Sequence, residues 1–245
     1  MCRPKHYHEP GVGAALAQAK LKRADVFVQT KFTSLDGQDR SKPLPYDPRA
    51  PLPTQVQQSV ATSLKNLGVS YIDSVVLHSP MRTHADTMTV WRTLEAFTAS
   101  PSSDAAGAPP VVRQLGVSNI YDLTALQKIY EDATVKPAVV QNRFYGDTGH
   151  DVALRAWCVS KGIYYQSFWT LTANPNTIRS DAMRAIARAH GTTPAAAFFA
   201  FLFAQPGFTP LTGTTSEAHM RDDLGALDVT LTEEEQRQIA QVLFS

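Results

Sequence analysis

Cysteine is nearly absent from this chain. Cys2 and Cys158 are the only two, and two thiols so far apart are neither a disulfide framework nor a zinc-ligand spacing. Charge of one sign is lacking too: 23 basic and 22 acidic side chains are spread along the sequence, so no electrostatic track for nucleic acid or for an anionic membrane surface is expected. Long apolar runs are missing. None approaches the roughly 18 residues of a membrane span, and the N-terminus has no apolar core of the kind a secretory signal carries. A soluble, cytoplasmic protein is the expectation, binding neither nucleic acid nor membrane.

The 245 residues are 43% hydrophobic, enough for one sizeable core, and a single domain over 1–245 is expected. Short β-branched segments alternate with helical periodicity. "ADVFVQTKF" (24–32) reads as a strand, and "TQVQQSVATSLKNLG" (54–68) places Val56, Val60, Leu64 and Leu67 on one helical face before Gly68. The rhythm continues with strands over 71–78, 111–119, 138–142, 162–168 and 208–213. Between and after them, helices are predicted over 88–99, 121–132, 151–161, 180–190, 194–204, 216–224 and 232–243. Apolar strands separated by amphipathic helices imply parallel pairing through right-handed crossovers, in a barrel or a doubly wound sheet. Six strands are expected.

Two stretches interrupt the alternation, 33–53 and 100–110, both rich in Pro, Gly, Ser and Asp. The first follows a strand. In a parallel α/β barrel the loops after strands form the face that carries chemistry, so 33–53 is a candidate wall or lid and equally a tolerated surface insertion. The second follows a helix and reads as an insertion.

Polar residues collect at the C-terminal ends of the predicted strands: Lys31, His78, Ser118 with Asn119, Gln141 with Asn142, and Thr212 to Thr215, while Phe168 and Trp169 end another. A lone lysine there is usually solvated and a lone histidine usually structural. One or two such residues per strand end would converge on a single rim in a parallel topology. Phe32, Tyr145 and Trp169 are candidate apolar walls of the same rim, Phe32 equally a core residue.

The segments "YHEPGVGAAL", "VFVQTKF", "SLKNLGVSYIDSVVLH", "QLGVSN", "VVQNRFY" and "LTGTTSEAHMRDDL" occur in this order over nearly the whole chain. As a set they resemble the aldo-keto reductases. The resemblance implies a (β/α)8 TIM-barrel-like fold that binds NADPH (NADP+ when oxidised) at its C-terminal rim and reduces a small carbonyl substrate with a Tyr, Lys, His and Asp tetrad. Tyr7 matches the proton-donating tyrosine, with one residue fewer than usual before Val12-Gly13. Lys31 matches the lysine that tunes that phenol, and His78 the histidine that hydrogen-bonds the substrate carbonyl. Ser118, Asn119 and Gln141 match the groups that hold the nicotinamide carboxamide, and Phe168 the aromatic ring that stacks on it. Trp169, Leu171 and Ala173 fall in the loop over the pyrophosphate. Thr214 and Thr215 precede a helix start suited to a phosphate. Gly213 and His219 stand where the family's lysine and arginine grip the adenosine 2′-phosphate, which weakens the implied preference for NADPH. Asp223 replaces the usual Asn near the adenine. No metal ligand set is implied.

The family also has two strands and a helix before the tyrosine, with the tetrad aspartate five residues ahead of it; here that position is Cys2. The expectation is therefore a barrel missing its first two strands and first helix, completed by a homodimer over the gap or else poorly folded. Two other functions stand beside carbonyl reduction: a non-redox enzyme (isomerase, dehydratase or cyclase) using Tyr7 and His78 as acid and base, and a cofactor- or partner-binding protein without turnover.

Overall fold

The structure, a computed structural model, describes residues 8–99 and 110–245. The chain forms two compact units, the first reaching Val139 and the second running Val140–Ser245.

The first unit contains α1 (Glu9–Ala19), β1 (Gln29–Phe32), α2 (Leu52–Leu67), β2 (Ile72–Leu77), α3 (His84–Glu95), β3 (Val112–Ser118) and α4 (Leu123–Asp132). Its strands are parallel and lie in chain order, with Lys31 opposite Val76 and Leu77 opposite Val117. All six residues of β2 are buried, as expected for a parallel strand covered on both faces. Val75, Val76, Leu77, Leu115 and Val117 belong to the core with Val56 and Val60 of α2 and Trp91 and Leu94 of α3. Gly13 lets α1 approach α2 closely, since a Cβ there would lie 2.4 Å from the Asn66 carbonyl oxygen.

The second unit contains β4 (Val139–Arg143, its first residue at the boundary), α5 (Val152–Ser160), β5 (Tyr164–Phe168), α6 (Pro175–Ile178), α7 (Asp181–Ala189), α8 (Pro194–Phe203), β6 (Phe208–Pro210), α9 (Glu217–Gly225) and α10 (Glu233–Leu243). These strands too follow chain order; β5 pairs with β6 in parallel, Tyr165 opposite Phe208. Helix α8 is apolar almost all round and buried from Ala196 to Leu202, the pattern of a helix with no solvent face. Phe144 and Phe208 meet edge to face at 5.3 Å in this core.

Among the described residues, six parallel strands alternating with helices give the α/β fold of the (β/α)8 kind that the resemblance implies. Boundaries differ where side chains intervene. The strand expected over 24–32 begins at Gln29: the Val28 carbonyl still accepts from the Asp73 and Ser74 N–H groups at 3.0 and 3.2 Å, but its own N–H goes to the Asp73 carboxylate at 2.8 Å, which also holds the Arg23 guanidinium at 2.6 Å. The chain before it turns through a 3-10 helix, Arg23–Asp25. Helix α3 begins at His84 rather than at 88, since Thr83 caps it by accepting from the Asp86 N–H at 3.1 Å. Strand β6 is assigned only over Phe208–Pro210, although the Leu211 N–H still donates to the Ser167 carbonyl at 2.8 Å. The one-turn α6 was not expected. Most of 100–110 lies outside the described residues. No helix among those described is long and apolar enough to cross a membrane.

Candidate active site

In the first unit the register itself assembles the site. Phe32 lies opposite Leu77 and Leu77 opposite Val117, so one residue further along each strand Thr33, His78 and Ser118 fall in one row. The His78 N–H donates to the Phe32 carbonyl at 2.9 Å, which extends the ladder that far. Lys31 is two residues before Thr33 on the same face and is only 2% exposed. A lysine ending a strand is expected to be solvated; this one is inside, and a buried ammonium is held only by groups that compensate its lost hydration.

His78 is half-buried, and its Nδ1 lies 3.0 Å from the Thr33 hydroxyl. Asn119 has φ +53 and turns its side chain back, Nδ2 donating to the His78 carbonyl at 2.8 Å and to Ser118 Oγ at 3.3 Å. Ser118 is fully buried. The Asn119 amide, expected to hold a carboxamide, thus spends these donations on fixing the loop that carries His78.

The 33–53 segment, expected as a wall, a lid or a surface insertion, is anchored at several points. Tyr46 is buried, 5.9 Å from the Phe32 ring, and donates its phenol to the Thr33 carbonyl at 2.8 Å; burial pushes that phenol above its ordinary pKa. Gln38 Nε2 donates to the same carbonyl at 3.1 Å. Farther along, the Thr62 hydroxyl donates to the Pro45 carbonyl and Gln55 Nε2 to that of Ala50. Phe32 is core, 1% exposed.

In the second unit the deep polar groups pair with one another. Gln141 Nε2 donates to Gln166 Oε1 at 2.7 Å. Asp151 Oδ2 accepts from Asn142 Nδ2 and from the Tyr165 phenol, both at 2.8 Å. Phe168 is half-buried at the end of β5. Trp169 follows with φ +56 and an exposed indole, and the Arg143 guanidinium lies 4.2 Å over that ring. The turn closes through the Ala173 N–H on the Trp169 carbonyl at 2.8 Å, and the Leu171 carbonyl accepts from Asn174 N–H at 3.3 Å. Asn174 secures the segment by donating to the Phe144 and Thr170 carbonyls.

At the start of α9 the Ser216 hydroxyl accepts from His219 N–H at 3.4 Å and the Thr214 hydroxyl from Ser216 N–H at 3.1 Å. Thr214 Oγ1 lies 3.5 Å from His219 Nδ1. Thr215 and the His219 ring are exposed. Asp223 accepts from the Thr212 hydroxyl at 2.6 Å, and Arg221 pairs with Glu217 at 2.6 Å.

Of the residues singled out by sequence, Lys31, His78, Ser118 and Asn119 gather in the first unit. Gln141, Phe168, Trp169, Leu171, Ala173, Thr214, Thr215, His219 and Asp223 belong to the second. Tyr7 and Cys2 lie outside the described residues. Sequence reasoning passed over Thr33, Tyr46, Asp151 and Asn174; for Thr33 the available signal was its period-2 spacing from Lys31. Cys158 is buried, and burial pushes its thiol up to about 12, which leaves it no nucleophilic role.

In a parallel α/β fold, a buried lysine and a histidine at adjoining strand ends stand where barrel enzymes carry their chemistry. The model of the aldo/keto reductase family matches residues 4–164 and 168–243, and the chain belongs to that family, one of oxidoreductases acting on carbonyls. It is 25% identical over 258 residues to the NAD(P)H-dependent 6'-deoxychalcone synthase of Glycine max, covering 96% of this chain and 74% of that protein. It is 28% identical over 199 residues to the D-galacturonate reductase of Fragaria ananassa, covering 76% and 61%; the chain thus spans less than two thirds of that relative. Among solved structures, an aldo/keto reductase from Brucella melitensis superposes with a TM-score of 0.76 at 21% identity, covering 97% of this chain and 85% of that one. The aldo-keto reductase AKR2E5 complexed with NADPH gives 0.75 at 20% identity, covering 98% and 72%.

Proposed function

We propose that the protein reduces an aldehyde or ketone to an alcohol with NAD(P)H. The observation that carries this reading is the row in the first unit: Lys31 buried on β1, and His78 immediately beyond β2, held by Thr33 and Asn119. The bound cofactor supplies a hydride to the carbonyl carbon. His78 donates a hydrogen bond to the carbonyl oxygen, polarising it and fixing its position. That oxygen gains a proton from Tyr7, whose phenol the Lys31 ammonium brings closer to ionisation.

The second unit, taken by itself, fits part of a dinucleotide. Phe168 and the exposed Trp169 offer flat apolar faces suited to heteroaromatic rings. The α9 side chains fit a 2′-phosphate poorly, because Arg221 is engaged by Glu217 and both Asp222 and Asp223 follow it. We therefore assign NADPH as cofactor with a weak preference over NADH. The probe substrates are methylglyoxal and D-galacturonate, because relatives are reductases of these compounds. Fluorescence titration with NADPH and NADH is the first test; no binding at high micromolar cofactor overturns the reading, and binding with oxidation of the cofactor only when carbonyl is present supports it.

A further inference from the structure

We infer that Thr33 is a positioning residue that holds the His78 imidazole neutral with its proton on Nε2. Among the described residues the Thr33 hydroxyl has a single hydrogen-bond partner, His78 Nδ1, at 3.0 Å. Thr33 is 1% exposed, so water does not readily satisfy the hydroxyl. A buried hydroxyl proton requires an acceptor, and Nδ1 accepts only when it carries no proton of its own. The hydroxyl donating to Nδ1 leaves the ring proton on Nε2. The reverse arrangement, Nδ1–H donating to the hydroxyl, strands the hydroxyl proton in the protein interior.

The hydroxyl is also aimed. A Cβ on Gly37 would lie 2.8 Å from Thr33 Cγ2 and 4.0 Å from His78 Nδ1. The threonine methyl therefore occupies the space a side chain at 37 would take, and the alternative rotamer would trade the hydroxyl's partner for that slot. The backbone is clamped as well: the Thr33 carbonyl accepts from the buried Tyr46 phenol at 2.8 Å and from Gln38 at 3.1 Å. The 33–53 wall thus reaches the chemistry through one hydroxyl. Its link to catalysis rests on the proposed reading of His78 as the donor to the substrate carbonyl, for which the Nε2–H tautomer is the competent one.

The test is 15N NMR of the imidazole nitrogens in the full chain at neutral pH, with the His78 signal assigned by its loss in His78→Asn. It needs neither substrate nor cofactor, so it can fail while carbonyl reduction stands, and succeed while carbonyl reduction fails. The expected result is a neutral ring protonated at Nε2 in the wild type, a mixture of tautomers or a protonated ring in Thr33→Val, and the wild-type pattern restored in Thr33→Ser. Carbonyl turnover should fall roughly 2- to 10-fold in Thr33→Val, the scale of one hydrogen bond, with the Kd for cofactor unchanged. A wild-type ring protonated at Nδ1, or a valine variant with the wild-type pattern, overturns the inference. Should Thr33→Val not fold, the wild-type spectrum and Thr33→Ala decide it by the same criteria.

Discussion

The two units treat their polar groups in opposite ways. In the first, the groups proposed for chemistry are drawn inward and chained: Lys31 is buried, His78 is tied to Thr33, and Asn119 binds the His78 carbonyl. In the second, deep polar groups pair with one another, Gln141 with Gln166 and Asn142 with Asp151. Of the groups proposed for cofactor recognition there, Gln141 is buried, whereas Trp169, Thr215 and His219 are exposed. A proton-transfer site gains from fixed geometry and reduced hydration, and a surface that takes up a nucleotide gains from accessible faces. The same strand-end position therefore carries a polar group tied to its neighbouring strand or one paired within the core, and residue type alone does not say which.

The largest effects should come from the locked row. His78→Ala and Lys31→Met should each lower carbonyl turnover by about 10²- to 10⁴-fold, the usual worth of a positioned acid–base group, while cofactor titration stays near wild type. Steady-state kinetics beside the titration checks this, and an unchanged kcat would remove these residues from the mechanism. Next is the deep pair of the second unit. Asp151→Ala leaves the Asn142 amide and the Tyr165 phenol without their shared acceptor, 5% exposed in the native protein. A loss of about 1–3 kcal/mol is expected for removing a buried acceptor shared by two donors, measured by urea unfolding.

Gly13→Ala should cost about 1–3 kcal/mol through overpacking, since its Cβ would fall 2.4 Å from the Asn66 carbonyl oxygen and 2.9 Å from that of Leu67. An unaltered unfolding midpoint would mean that α1 is free to shift on α2. Smaller still, Arg221→Ala should change the ratio of NADPH to NADH affinity by less than about fivefold, because an exposed pair such as Arg221–Glu217 is worth at most ~1 kcal/mol. A hundredfold collapse of NADPH affinity would show that Arg221 leaves Glu217 for the cofactor and that the α9 surface is a built phosphate site.

The smallest prediction concerns pH. The Thr232 N–H holds the Glu235 carboxyl below its ordinary range, helped by the His190 and Thr232 side chains. A carboxyl whose pKa is depressed in the folded state stabilises the fold above the unfolded value of about 4.3 and loses that contribution as pH falls through the folded value. Glu235→Gln should therefore lower Tm at pH 7 by a small amount, and the gap from wild type should close on acidification below about pH 4. A gap that persists at pH 3 would assign the effect to packing.

The alternation of strand and helix, the number of strands and the family were determined by the sequence alone. Each rests on near neighbours or on an ordered set of short motifs: Val56, Val60, Leu64 and Leu67 recur at helical spacing whatever lies elsewhere, and Thr232 with Glu235 closes a capping box within one turn. Only the tertiary structure decided which polar groups are spent and which are kept. Thr33 and His78 are 45 positions apart, as are Val28 and Asp73. Strand register sets one of these meetings and a buried carboxylate near the start of β2 sets the other. A hydrogen-bond partner at that separation is chosen by where the packed core carries each backbone, and the residue pattern of either segment, read alone, contains no trace of it.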